Sequence, residues 1–146
     1  MSLYKNILLA VNLAPDSQKI ALKAQALARN NHAKLSLIYV LDVPPALDMG
    51  YEASLTHDLT GLLKENAQTT LANFIETLQL ELHQQWIIEG NSVEETVRIA
   101  KENKIDLIVM GSHGKNGLAL LFGSTSNTML HHARCDVLAV RLRDES

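Results

Sequence analysis

Short apolar runs recur along the chain, and each is separated from the next by a segment with helix signals. The runs are NILLAVN at 6–12, KLSLIYVL at 34–41, the weaker QQWIIE at 84–89, LIVM at 107–110 and DVLAVRL at 136–142. Uninterrupted apolar runs of this length are typical of strands buried on both faces. No hairpin signal joins any two of them. The alternation therefore predicts a mostly parallel sheet with helices on both faces and right-handed crossovers.

The segments between the runs supply the helices. Asp16 or Ser17 is placed to cap the first helix. Its inner stripe is predicted to be Ile20, Ala24, Leu27 and Ala28. A long helix with apolar residues at helical spacing is predicted from Asp58 onward. Ser92 begins a Ser-x-x-Glu pattern that fits a capping box, and the last helix is predicted to run to about His132.

Residues 42–57 interrupt this alternation. The segment, DVPPALDMGYEASLTH, contains two consecutive prolines and shows neither a helical nor a strand period. We expect it to be a loop and the most mobile part of the chain. Because it follows the carboxyl end of a strand, it would flank a ligand bound at that edge of the sheet.

The composition indicates one globular domain, residues 1–146, and restricts its partners. With 47% apolar and 20% charged residues, a chain of 146 residues can bury its own core. The net charge of −3, from 13 basic and 16 acidic residues, argues against binding nucleic acid mainly through phosphate contacts. No segment approaches the roughly 18 apolar residues of a membrane span. We therefore expect a cytoplasmic protein with neither a nucleic acid nor a membrane as its partner.

Cys135 is the single cysteine, so the chain cannot form an intramolecular disulfide. The simpler interpretation is a small buried side chain, and a catalytic thiol activated by His131 or His132 is the alternative. The two histidines are adjacent, so on a helix they point about 100° apart and are poorly placed to share one metal ion. No HxH, HExxH or CxxC spacing occurs, and no metal site is predicted.

The segment GSHGKNGLALLFGSTS, residues 111–126, holds four of the seven glycines and ends in hydroxyl residues. Gly111 and Gly114 permit a positive φ or a close backbone approach, and Gly123 lies where the next helix is expected to begin. Unpaired amides and hydroxyls at a helix start favour an anion. A tight strand-to-helix turn explains the same residues, and spacing alone leaves both interpretations open.

This segment resembles the nucleotide-binding loop of the universal stress protein family, whose pattern is G-x2-G-x9-G-S/T. The resemblance covers essentially the whole chain. KNILLAVNLAPDS is similar to the family's first strand and helix entry, KLSLIYVLD to its second strand, and DLIVMGSHG with FGSTSNTMLHHARCDVLAVRLRD to its closing third. It implies a single doubly wound, Rossmann-like α/β sheet of five parallel strands with helices on both faces. It also implies a cytoplasmic location and a homodimer.

In nucleotide-binding members of the family, ATP or AMP lies across the carboxyl edge of the sheet. The resemblance therefore implies a stress-response protein that binds an adenine nucleotide and acts as a regulatory or signalling homodimer. At most, it would hydrolyse ATP slowly. The residues that would surround the phosphates and ribose are Gly111, Gly114, Gly123, Ser124 and Thr125. Val40 and Met110 would line the adenine, and Ala10 and Asn12 would approach from the first strand.

Two positions depart from the family pattern. Eight residues, not nine, separate Gly114 from Gly123, although Gly117 between them can absorb part of the change. Asn12 stands where the family usually has aspartate. An asparagine keeps an acceptor and gains a donor but lacks the charge that holds a divalent cation, so a tightly bound Mg²⁺ is disfavoured.

The C-terminal run predicts how two copies associate. The family's sheet order places DVLAVRL at an edge, and an exposed apolar edge strand invites pairing with another chain. A twofold arrangement closes such an edge. We expect Val137, Ala139 or Leu138 and Val140 to contribute to the contact.

Three other interpretations are open. One is a universal stress protein dimer whose glycine loop holds no nucleotide and which acts through protein partners. A phosphoacceptor domain of the response-regulator type needs clustered aspartates at strand ends, and Asn12 argues against it. A pyrophosphatase-like ATP enzyme would show a Ser-Gly-Gly-rich loop after the first strand, where this chain has AVNLAPDS.

Overall fold

A computed structural model describes residues 3–14, 16–41, 53–111 and 128–141, with 53–60 given as helix backbone only. Within these ranges no helix is long and apolar enough to cross a membrane. The elements in chain order are β1 (Asn6–Val11), α1 (Ser17–Asn31), β2 (Lys34–Leu41), α2 (Ala53–Leu78), β3 (Gln84–Glu89), α3 (Ser92–Glu102), β4 (Leu107–Gly111) and β5 (Asp136–Val140). Residues 128–132, ahead of β5, are also helical.

The five strands form one sheet in the order β3-β2-β1-β4-β5. Every neighbouring pair is parallel. The chain moves outward from β1 to β2 and β3, then returns to the other side of β1 for β4 and β5. The predicted doubly wound parallel sheet is confirmed, and its strand order reverses between β1 and β4.

Apolar side chains cover both faces of the sheet. On one face, Ile7 and Leu9 of β1 pack in a cluster with α1 and α2. On the other face, Leu8 packs with α3 and with Met129. The first-helix stripe is buried at Ile20, Ala24 and Ala28, while Leu27 is half-buried. Burial on both faces explains why the β1 run is continuously apolar instead of alternating.

Helix α2 begins earlier than predicted. The predicted loop at 42–57 is wrong for residues 53–57, which are helical, and 42–52 lie outside the described residues. The apolar period used to detect a helix comes from burial of one face. Residues 61–66 of the same helix are exposed. The sequence at 53–57, ASLTH, carries no such period, so its helix could not be predicted from the apolar pattern.

The helix N-caps match the predicted ones only in part. Helix α3 is capped by Asn91, whose Oδ1 accepts a hydrogen bond from the Glu94 amide at 2.9 Å, so Ser92 is the first helical residue and not the cap. Asp16 holds the N-cap position of α1 but its side chain makes no capping hydrogen bond. Ser17 is the first residue of α1, and its hydroxyl is directed elsewhere.

Helices α1, α2 and α3 each end in a left-handed turn that contains no glycine. The residues in the left-handed region are His32 (φ 54°), Gln79 (φ 52°) and Lys104 (φ 56°). The amide of the next residue bonds a carbonyl five residues back: Ala33 to Ala28, Leu80 to Ile75 and Ile105 to Ala100, at 2.8–3.0 Å. This is the Schellman arrangement, in which the residue after the turn packs against the helix.

Replacing Gln79 with glycine should stabilise the protein. The side chain is exposed, so no packing is lost, and glycine removes the cost of roughly 1 kcal/mol of a left-handed backbone at a residue with a Cβ. Gln68→Gly, at an exposed position inside α2, is the matched control and should destabilise by about 1 kcal/mol. Urea unfolding measures both changes. Equal destabilisation by the two variants would contradict the assigned turn.

Candidate functional site

The sheet opens between β1 and β4 at its carboxyl edge. The β1–β4 ladder ends at the pair Leu9 and Val109. On the outer sides, pairing continues further, to Val11 with Tyr39 of β2 and to Gly111 with the last residue of β5. The two central strands therefore stop pairing before their outer partners do. In open α/β sheets, ligands bind in the crevice formed where the strand order reverses.

Ala10, Val40 and Met110 lie on one face of the sheet beside this opening. They belong to three neighbouring strands, and all three pack with the cluster on the α3 side. Met110 is 6% exposed, whereas Ala10 and Val40 are half-buried. The strands thus present a flat apolar patch that is still partly open at the sheet edge. Gly111, the last residue of β4, follows directly and is half-buried.

Other predicted site residues cannot be placed. Gly114, Gly123, Ser124 and Thr125 lie outside the described residues, as does Gly117. The structure thus brings together the part of the predicted site contributed by the strands. The predicted contacts to phosphate and ribose by the glycine loop stay predictions.

Asn12 is exposed at the end of β1, and its side chain has a structural role that the sequence interpretation missed. Its Oδ1 accepts hydrogen bonds from the Ala14 amide at 3.0 Å and from the Ser17 hydroxyl at 2.9 Å. A backbone amide only donates, which identifies the contacting atom as the carbonyl oxygen. Ser17 is 1% exposed, so this bond also satisfies a buried hydroxyl. Asn12 therefore ties the end of β1 to the start of α1.

Leu13 adopts a left-handed backbone in this same turn, with φ of 59°. For a residue with a branched side chain, this conformation costs about 1 kcal/mol or more, and such residues cluster at ligand sites. The Leu13 side chain packs against the cluster on the α1 face. The turn is thus held from both sides, by side-chain packing at Leu13 and by the hydrogen bonds of Asn12. The signal for it was an asparagine after a strand, since asparagine commonly bonds the amide two residues on.

The described part of the edge does not assemble a metal site. Among residues 3–14, 16–41, 61–111 and 128–141, no group of three or more His, Cys, Asp or Glu side chains could hold a metal ion. The strand-end position that would supply a carboxylate holds the amide of Asn12. A neutral amide lends little to Mg²⁺ binding, which relies on carboxylates and substrate phosphates.

Cys135 is not placed to act at this edge. It precedes β5, at the amino end of the strand, whereas the opening lies at the carboxyl ends. Burial raises the pKa of the Cys135 thiol, and the carboxylates of Asp106 and Asp136 raise it further. The Nδ1 atom of His132 lies 2.9 Å from the Thr128 carbonyl oxygen. The geometry favours the interpretation of Cys135 as a partly buried side chain over that of an activated thiol.

Two sequence comparisons identify one family, and solved structures share the fold. The sequence profile of the Universal stress protein family matches residues 3–141. Universal stress protein A homolog 2 of Coxiella burnetii is 36% identical over 98% of this chain and 99% of its own. The structure of the hypothetical protein MJ0577 superposes with a TM-score of 0.80 at 24% identity, covering 97% of this chain and 99% of that one. A universal stress protein solved in complex with cAMP gives a TM-score of 0.70 at 20% identity, covering 95% and 98%.

Removing the Asn12 side chain should loosen the turn after β1. Asn12→Ala leaves the buried Ser17 hydroxyl and the Ala14 amide without their acceptor, which should cost about 1–3 kcal/mol of unfolding free energy. Asn12→Asp keeps a carboxylate oxygen for both donors and should retain most of the stability. Chemical denaturation of both variants, with Ser17→Ala and the double variant Asn12→Ala/Ser17→Ala, gives the coupling energy. Asn12→Asp losing as much stability as Asn12→Ala would contradict the assigned hydrogen bonds.

Proposed function

The chain belongs to the universal stress protein family, and on that premise we propose that it is a cytoplasmic stress-response protein that binds ATP or AMP and regulates as a homodimer. The observation that carries the nucleotide proposal is the opening between β1 and β4, beside an apolar patch on one face of the sheet. The segment 111–126, which holds the glycine pattern, begins with the last residue of β4 and continues from it in the sequence.

The patch of Ala10, Val40 and Met110 suits a purine base. Adenine is flat and largely apolar, and ligand sites are lined mostly by apolar side chains with a few polar groups that fix orientation. Partial exposure of Ala10 and Val40 leaves surface for the base to cover. A universal stress protein with the same fold was solved with cAMP, which also carries an adenine base.

The glycine segment is proposed to bind the phosphates. In the sequence, Gly123, Ser124 and Thr125 come shortly before residues 128–132, which are helical. Amides near a helix start and the positive end of the helix dipole favour anions. Gly111 and Gly114 would allow phosphate oxygens to approach the backbone without meeting a Cβ.

Asn12 is proposed to meet the nucleotide through its amide nitrogen. Its Oδ1 already accepts two hydrogen bonds within the turn, so Nδ2 is the group left to donate to a ribose or phosphate oxygen. The site would then hold its nucleotide without a tightly bound Mg²⁺. Any negatively charged oxygen ligands of Mg²⁺ would have to be supplied by the phosphates of the nucleotide.

Regulation is favoured over catalysis. Hydrolysis would need a positioned base or metal beside the phosphates. Asp16 is the nearest acidic residue to the β1 turn in the sequence, and it occupies the N-cap position of α1. We therefore propose at most slow ATP hydrolysis.

The dimer is proposed to form through β5. This strand is at the edge of the sheet and pairs with β4 on its inner side. Val137 and Leu138 are half-buried and Ala139 is exposed, so apolar surface lies at the edge. Leu130, 58% exposed, lines a surface depression with Val137 and Leu138. Pairing of two such edges would cover this surface and satisfy the outer backbone groups of both strands.

Calorimetric titration of ligand-stripped protein with ATP, ADP and AMP tests the nucleotide proposal. We expect binding of moderate affinity, and its loss in Gly123→Val, because a branched side chain would occupy the phosphate volume. Gly61→Val is the matched control, since a Cβ at Gly61 meets no atom within 4 Å, and it should bind normally. Asn12→Asp should make binding more dependent on Mg²⁺.

No heat from the wild type with any of the three nucleotides at millimolar concentration would contradict nucleotide binding. The alternative function, a family member that acts through protein partners with its loop empty, would then be favoured. The shortened spacing between Gly114 and Gly123 is the feature that favours this alternative.

Light scattering tests the dimer separately. The wild type at micromolar concentration should give twice the chain mass of 16.1 kDa. Ala139→Lys places a charge on an exposed position of the edge strand and should shift the mass toward the monomer. Ala26→Lys, at an exposed position of α1, is the control and should remain dimeric. A monomer mass for the wild type would contradict the proposal.

A further inference from the structure

A second surface feature lies near the amino ends of the strands, whereas the proposed nucleotide site lies at their carboxyl ends. It is a groove of about 210 Å³ between the C-terminal end of α3 and residues 133–135, which precede β5. Its lining consists of Val97, Ala100, Ile105, Ala133 and Cys135, together with Lys101, Lys104 and Arg134. We call this feature the α3 groove.

The floor of the α3 groove is apolar and continuous with the core. Ala100 and Ile105 are buried, and Val97 and Ala133 pack against the same cluster. The turn that ends α3 brings Ile105 back against the helix, with its amide bonded to the Ala100 carbonyl at 2.9 Å. The floor is therefore fixed by backbone hydrogen bonds and by core packing, and it does not need a ligand to form.

Three exposed cations, Lys101, Lys104 and Arg134, surround this floor, and no acidic side chain in the described part of the chain forms an ion pair with them. By contrast, Arg98 on the same helix contacts Glu95 at 2.7 Å and a Glu102 oxygen at 3.2 Å. In a chain with a net charge of −3, this is a local concentration of cations without ion-pair partners beside an apolar surface.

The neighbouring carboxylates are already engaged. Asp106 accepts hydrogen bonds from the amides of Lys5 and Asn6, at 2.8 and 3.1 Å. Asp136 accepts one from the Tyr4 hydroxyl at 2.8 Å. These contacts direct the two carboxylates toward residues 4–6, and among the described residues neither forms an ion pair with the cations of the α3 groove. Both carboxylates nevertheless raise the pKa of the Cys135 thiol at one side of the groove.

We propose that the α3 groove docks a segment of another protein that carries a large apolar side chain flanked by Asp or Glu. The volume is below the roughly 300–1,000 Å³ of pockets that enclose a whole small molecule, and it suits one side chain such as leucine or phenylalanine. The flanking carboxylates would pair with the three cations, and the apolar side chain would cover the floor. The proposal does not depend on nucleotide binding, because the groove lies at the amino ends of β4 and β5.

Cys135 provides a reporter for occupancy. It is the only thiol in the chain, and it lines the α3 groove, so a docked side chain should shield it from alkylation. Cys135 also lines the depression that the proposed dimer would cover, so alkylation is followed both in the wild type and in Ala139→Lys, the variant expected to be monomeric. The probe is a synthetic peptide with a Leu-Phe pair flanked on each side by two acidic residues. The comparison peptides replace Leu-Phe by Ser-Ser, or the acidic residues by lysine. Alkylation of the full chain by iodoacetamide is followed by intact mass.

The acidic apolar peptide should slow alkylation about fivefold at a concentration of about four times its Kd, and added salt should reduce the effect. The two comparison peptides should give little protection. Lys101→Gln/Lys104→Gln/Arg134→Gln should abolish protection. The matched variant Lys19→Gln/Lys23→Gln/Lys64→Gln, which removes the same charge from exposed positions of α1 and α2, should keep it. Circular dichroism checks that both variants are folded.

Three results would overturn the proposal. The first is no protection by the acidic apolar peptide at millimolar concentration. The second is equal protection by all three peptides, which would show that charge and apolar character play no part. The third is full protection in the folded variant that lacks all three cations of the α3 groove. That result would show that the cations do not bind the peptide and interact only with the C-terminal end of α3.

Discussion

The structure depends on the burial of β1 between two parallel neighbours. Ile7, Leu8 and Leu9 are fully buried, and their side chains alternate between the two faces of the sheet. The backbone of β1 is hydrogen-bonded on both sides, to β2 and to β4. Because the strand has no free edge and no solvent-facing side, it fixes which helices cover each face. It also fixes the point at which the strand order reverses.

The candidate site follows from the way this central pairing ends. The β1–β4 ladder stops at Leu9 while the outer ladders continue, so the carboxyl ends of β1 and β4 are not joined. The turn after β1 leaves the sheet there, held by Asn12 and by the left-handed backbone of Leu13. Asn12 thus has a structural task and a proposed binding task, and its two side-chain atoms allow both.

The sequence predicted the elements that burial determines. The strand runs at 6–12 and 34–41 were recognisable because both faces of the sheet are covered. The features that the sequence did not predict leave no such run of apolar residues. The left-handed turn at Gln79 lacks the glycine that usually marks a helix end, since backbone hydrogen bonds and apolar contacts offset its cost. The first turn of α2, ASLTH at 53–57, carries no apolar period, and the hydrogen bonds of Asn12 depend on a turn geometry that composition does not specify.

The central claim, that the opening between β1 and β4 binds an adenine nucleotide, is tested most directly by titrating isotope-labelled, ligand-stripped protein with AMP and following backbone amide shifts by NMR. We expect saturable shifts at Ala10, Asn12, Val40 and Gly111, with little change at residues 100–105, near the amino ends of the strands. Saturable shifts confined to residues 100–105, or no saturable shifts with AMP or ATP at millimolar concentration, would contradict it.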